Sequence, residues 1–351
     1  MKAGTQNDRQ HRLARPGFTL VELLVVLVII GLVLSITAAT AMRVLGRQKS
    51  SNTEVLITTL SRALNQHWMA VVDQAKNEPV PDTVTANLAG GDARRARVIW
   101  IKLRLKQEFP MTFAEVVHPA TISGTIYLSG LPAYLKALRN FGLPPDPSDP
   151  SGLTPLVTTT TQPQLCEMAA CLLMALQLNR RGVNYDADSL PSGSMADMNY
   201  TTAAATTVQV KALVDSWQRP LGFFRWPTGN IELNPSGASV GFNDSLDPEG
   251  LLCNPTWVTS ATGGVLYSTY CHAVSAPSAA GPKSFKLLPV IISAGPTDNM
   301  IIAGTSVPNN LSQFWTGLNG LSVNPMNTGA FADPGYLYSY NLLKLGARGD
   351  Q

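Results

Sequence analysis

From Leu23 to Met42 the chain runs twenty residues without a charged side chain. As an α-helix that stretch is about 30 Å long, the thickness of the hydrocarbon core of a bilayer. Gly31 and Ser35 are tolerated in such a span. Two plain readings are open. One is a single-span anchor. The other is a secretory signal, with "SITAATA" imitating a small-residue cleavage site. Neither explains Glu22, which stands at the head of the run. A carboxylate costs about 2.5–3.5 kcal/mol at the centre of a span and less near an end, and such residues usually have a partner. A new α-amino group on Phe18, made by a cut after Gly17, supplies a positive charge at the same depth. In a bundle of identical helices, Glu22 of one subunit then pairs with Phe18 of its neighbour and fixes their register.

"RPGFTLVELLVVLVIIG", Arg15–Gly31, resembles the type IV prepilin signature. A short basic leader is followed by Gly17, the aromatic Phe18 and an apolar run with Glu22 as the fifth residue after the cut. The resemblance covers about residues 12–45. It implies cleavage between Gly17 and Phe18 by a prepilin peptidase, N-methylation of Phe18, and a role for Glu22 in aligning subunits during filament assembly. It also implies a single-pass protein of the inner membrane, leader in the cytoplasm and head in the periplasm. The charges alone are ambiguous on this point, because Arg43, Arg47 and Lys49 follow the span at once.

The formal excess of +3 does not mark a nucleic-acid binder. All of it lies in the leader, where Lys2, Arg9, Arg12 and Arg15 stand against Asp8, and the remainder is neutral. After the span the apolar period continues through Leu56, Leu60, Leu64, Trp68, Val71 and Val72, which marks an amphipathic helix. Pro79 and Pro81 end it. The expected organisation is a leader at 1–17, a long helix at 18–77 (membrane part 18–42, amphipathic part 43–77), a helical and loop-rich insertion at 78–206, and a β-rich head at 207–351. The fold class is α+β.

Residues 78–92 read as a Pro/Gly/Ala linker. The next stretch, "ARRARVIWIKLRLKQEFPMTF", carries six basic residues from Arg94 to Lys106. Trp100 among them permits anionic lipid or nucleic acid. The plainer expectation is a solvated basic face beside a buried one. Helical patterns follow at "AYLKALRNF" and at Gln164–Arg180, with a Pro- and Thr-rich segment between them. Gly182–Thr206 is polar and turn-rich, and short β runs begin at Val208.

Two pieces look like the C-terminal sheet of major pseudopilins of type II secretion systems. "DSWQRPLGFFRW" is similar to their Asp-x-Trp-Gly-x-Pro turn, with Asp215, Trp217, Arg219 and Pro220, but Gln218 replaces the usual glycine. "PVIISAGPTDN" is similar to their Ser-x-Gly-x-Asp-Gly loop, through Ser293, Gly295 and Asp298. The ending "YLYSYNLLKLGARGD" and the long insertion are similar to large pilin-like proteins of planctomycete-type bacteria. The pseudopilin loop can bind calcium, which takes six to eight oxygens. This chain lacks the Asp-Gly step there. A second acidic group, Asp244, Asp247 and Glu249, offers carboxylates but fits no strict calcium-loop spacing.

Cys166 and Cys171 fall five apart on a helical pattern, about 8–9 Å, too far for a bridge. Cys253 and Cys271 flank two β-rich runs around Ala-Thr-Gly-Gly and could pair across a hairpin, or remain two buried thiols. His11, His67, His118 and His272 are scattered, and no catalytic fingerprint is present. The terminal Arg-Gly-Asp at 348–350 is too short to carry a reading. The sequence points to a non-enzymatic pilin-like subunit that works with other subunits, an inner-membrane assembly platform and lipid. The alternative is a membrane-tethered binding module that never polymerises, with a tethered enzyme third.

Overall fold

A computed structural model describes residues 20–122, 125–143, 162–178, 190–201, 207–226, 244–253, 257, 289–293 and 337–338. The chain divides into two compact units, Met1–Lys49 and Ser50–Gln351. The expected α+β class holds. Helices are α1 (Leu20–Asn77), α2 (Asp82–Asn87), α3 (Ala93–Glu108), α4 (Phe113–Val117), α5 (Pro132–Asn140) and α6 (Gln162–Gln177). Strands are β1 (Ala120–Ile122), β2 (Thr125–Leu128), β3 (Met195–Thr201), β4 (Thr207–Leu213), β5 (Gly222–Phe224), β6 (Val290–Ser293) and β7 (Leu337–Tyr338), with a 3-10 turn at Leu251–Cys253.

In the first unit α1 exposes its apolar side chains on every side, from Leu20 to Ile36. It is long and apolar enough to cross a membrane. Its hydroxyls are satisfied within the helix: Ser35 donates to the Leu32 carbonyl (2.8 Å), Thr37 to Val33 (3.0 Å) and Thr40 to Ile36 (2.8 Å). That local pairing leaves none of these three hydroxyls dependent on water for a hydrogen-bond acceptor.

In the second unit α1 is amphipathic, as its period predicts. Leu56, Ile57, Leu60, Leu64, Trp68, Val71, Val72 and Ala75 are all buried. It ends at Asn77, before Pro79 and Pro81. Helix α6 is buried all round from Cys166 to Leu176, the mark of a central core helix. It packs against β3, β4 and β5. The strands form three antiparallel sheets: β1–β2, β3–β4 and β5–β6–β7 with β6 in the middle. The register pairs Tyr200 with Val208 and Phe223 with Ile291, both pairs facing the core.

Three expectations are corrected. Residues 78–92 are not a linker: α2 forms there, and Val84, Leu88 and Ala89 are almost wholly buried. The polar stretch before Thr206 contains strand β3, whose partner β4 supplies the ladder its own composition does not announce. The basic stretch is not a solvated face. Side chains of Lys102, Arg95, Arg104 and Lys106 are only 0%, 11%, 13% and 18% exposed, and Arg94 alone of the paired cations stands out at 71%. Their partners come from elsewhere in the chain, which a local charge count cannot see.

Candidate functional site

The assembly segment begins outside the described residues, where Gly17 and Phe18 lie. Glu22 is within them, in the first turn of α1. An acid there lies toward the positive end of the helix dipole. The exposed apolar surface starts around it and continues without a break. Chemically this is a surface that demands lipid or other helices, with one carboxylate set at its edge.

In the head, the two motifs that resemble pseudopilin elements meet. Asp215 is 1% exposed. Its Oδ1 accepts from the backbone N–H of Trp217 (2.8 Å) and of Arg219 (3.0 Å), and its Oδ2 accepts from the Ser293 hydroxyl (2.6 Å). Val214 bridges Pro220, which closes the turn. Gln218, standing where glycine is usual, has φ of 63°. That is the left-handed region glycine tolerates best, and a non-glycine residue adopts it at a cost. The next amide, Ser216 N–H, donates to the Thr53 hydroxyl on α1 (3.2 Å). The turn therefore ties β4, β5, β6 and the inner face of α1 together. Burial pushes the Asp215 carboxyl up, and the hydrogen bonds to it oppose that.

The second acidic group does not gather around one point. Asp244 contacts Lys102. Asp247 accepts from the backbone N–H of Leu251 (2.8 Å) and Leu252 (2.9 Å). Glu249 pairs with Arg94 (2.8 Å) on the surface. Asp298 lies outside the described residues, and among the described residues no group of three or more His, Cys, Asp or Glu could hold a metal. The carboxylates expected for calcium instead dock this turn onto the basic side of α3. Arg95 reinforces the contact, donating to the Leu251 carbonyl (3.2 Å) and lying over the Trp257 ring.

The core holds a further charged cluster that sequence reasoning missed. Glu115 pairs with Arg225 through two contacts of 2.9 and 3.0 Å. Burial raises its carboxyl, but the Arg225 and Lys106 charges outweigh that and hold it at about 2. Glu167, on α6, accepts a hydrogen bond from the Phe113 N–H. Burial pushes it up to about 8, and the Glu115 charge adds to the rise. A lone acid in the apolar "CEMAACLLMAL" was the available signal.

Cys166 and Cys171 are free and buried, as their spacing requires. Burial pushes the Cys166 thiol up to about 12 and Cys171 higher than its usual value, so neither is a nucleophile at neutral pH. Any Cys253–Cys271 pairing lies outside the described residues. His67 is fully buried and His118 half-buried on separate elements; His11 and His272 are not among the described residues.

Residues 12–38 match the family model described as the prokaryotic N-terminal methylation motif. Comparison with curated proteins and with solved structures gives no match. The motif is the prepilin-type cleavage and methylation segment found in precursors of type IV pilins and pseudopilins. It overlaps the one helix among the described residues that is long and apolar enough to cross a membrane.

Proposed function

We propose that this chain is a structural, non-enzymatic subunit of a filament, serving protein secretion or a pilus. The supporting observation is the methylation motif at 12–38, which runs into the start of a long helix whose apolar side chains from Leu20 to Ile36 are exposed. Before assembly, lipid covers that surface and the head faces the periplasm from the inner membrane. During assembly on an inner-membrane platform, equivalent helices replace the lipid. Cleavage after Gly17 creates the α-amino group of Phe18. Glu22 of one subunit pairs with that cation on the next. The pair forms only in register, so it converts a greasy, slippery contact into a defined step. Calcium at the acidic turn is no part of this reading, because its carboxylates have other partners.

The test is the mature N-terminus, measured by mass spectrometry on protein from its native membrane. N-methylated Phe18 is the expected first residue. An intact leader would leave a tethered binding module as the better reading. A cut near "TAATA" would make the protein soluble and leave Glu22 without a task.

A further inference from the structure

In the second unit α1 buries one face, through Leu56, Leu60, Leu64 and Trp68, and leaves the other uncovered. Arg62, Asn65, Met69, Asp73 and Lys76 are exposed along that uncovered face. Arg62 and Asp73 stand eleven residues apart. In a helix that is three turns plus about 20°, or about 16.5 Å along the axis. The two side chains share a face and are too far apart to pair within one chain. The same spacing separates Arg43 from Glu54, and it separates the exposed valines Val44 and Val55. Among the described residues none of these four charges has an ion-pair partner. When the α1 sequence is slid along a copy of itself, only a displacement of eleven residues brings two opposite charge pairs level. That displacement brings no like pair level.

We infer that the uncovered face of α1 takes a second copy of this chain, packed parallel with an offset of eleven residues. Arg62 of one copy then meets Asp73 of the next, Arg43 meets Glu54, and Val44 packs on Val55. The inference rests on the filament reading above and adds a contact to it. Phe18 and Glu22 are only four residues apart, so their pairing sets two neighbours about 6 Å apart in height. The eleven-residue match therefore belongs to a different neighbour. Arg62 and Asp73 lie at different heights on α1, so one face serves two copies, one displaced upward and one downward. Such a contact is heterologous and does not close on itself, which is the condition for an open filament. A single exposed ion pair adds little stability. The charges act instead on the choice of offset, since they match at one displacement and leave other displacements with fewer opposite pairs. The valines supply apolar contact at the same step.

The experiment measures filaments of the full chain sheared from cells. Arg62→Asp and Asp73→Arg each set like charges level, and each should lower the yield about tenfold. The double exchange should recover most of it. Within one helix these residues are too far apart to touch, so recovery reports a contact between copies. Asn65→Cys with Lys76→Cys is a second variant, also spaced by eleven, and it leaves all four paired charges in place. Oxidation of its filaments should give a ladder of disulfide-linked chains, because two such positions cannot bridge within one helix. A wild-type chain that forms no filaments overturns the filament reading and this contact with it. Wild-type filaments together with tolerated reversals, a double exchange no better than the single ones, or no ladder overturn the contact alone.

Discussion

Glu167→Gln separates a buried acid from an ordinary core residue. Glu167 has an unfolded carboxyl value near 4.5 and a folded value of about 8. Below the lower value both states hold the proton, and the group has no effect on stability. Above it, the unfolded chain gives up its proton first, so stability falls as pH rises and levels off beyond the folded value. A tenfold change in proton affinity is worth about 1.4 kcal/mol, so the loss reaches about 3 kcal/mol at pH 7 and about 5 above pH 8. Glutamine retains an oxygen for the Phe113 N–H and cannot ionise. Glu115 does not mask the effect. Its folded value of about 2 gives stability that is complete above its unfolded value near 4.5 and lost only as pH falls toward 2. Urea unfolding of the full chain in detergent, followed by tryptophan fluorescence between pH 5 and 8.5, is the assay. The wild-type midpoint should fall across that range and the variant's should fall clearly less, because the raised Asp215 and Asp247 carboxyls act equally in both. Parallel decline in both would refute the assignment.

Three further outcomes are expected. Ser293→Ala removes the hydroxyl that satisfies a buried carboxylate and should cost about 1.5–3 kcal/mol in the same unfolding assay. Gln218→Gly relieves the positive φ and should stabilise the head by about 0.5–1 kcal/mol after the loss of chain entropy in glycine is counted. Glu22→Ala should leave membrane insertion intact, measured by carbonate extraction, and abolish filaments in shear fractions; normal filaments would remove the register role.

What was legible in the sequence depended on how far each signal had to reach. The period of α1 and its stop at Pro79 are local, and so are the α5 and α6 patterns. The Asp215 turn was legible through resemblance, and Gln218 keeps the glycine-like backbone there. The basic stretch misled, because Lys102 meets Asp244 and Arg104 meets Glu78 only after folding. Arg97 is spent on the carbonyls of Ala75 and Glu78, groups that appear in no charge count. Strand β1 was missed because its ladder is supplied by β2 across a short hairpin, at three residues long.

Two lone acids in apolar helices, Glu22 and Glu167, carry the same sequence signal and resolve it differently. Glu167 lies in a helix that is covered on every side by its own chain, and it takes a hydrogen bond from Phe113. Its environment is complete in one molecule, so its substitution reads out in the stability of one molecule. Glu22 lies on a helix whose apolar side chains are exposed from Leu20 onward. Its environment is set by what surrounds that helix. In lipid the carboxylate is a modest penalty near the span's end. Among neighbouring subunits, in the filament proposed above, it would act as a register device. Changing it should therefore be silent in dilute, membrane-inserted protein and decisive only where many copies meet. A defect of Glu22→Ala in the isolated, inserted chain would contradict that argument directly.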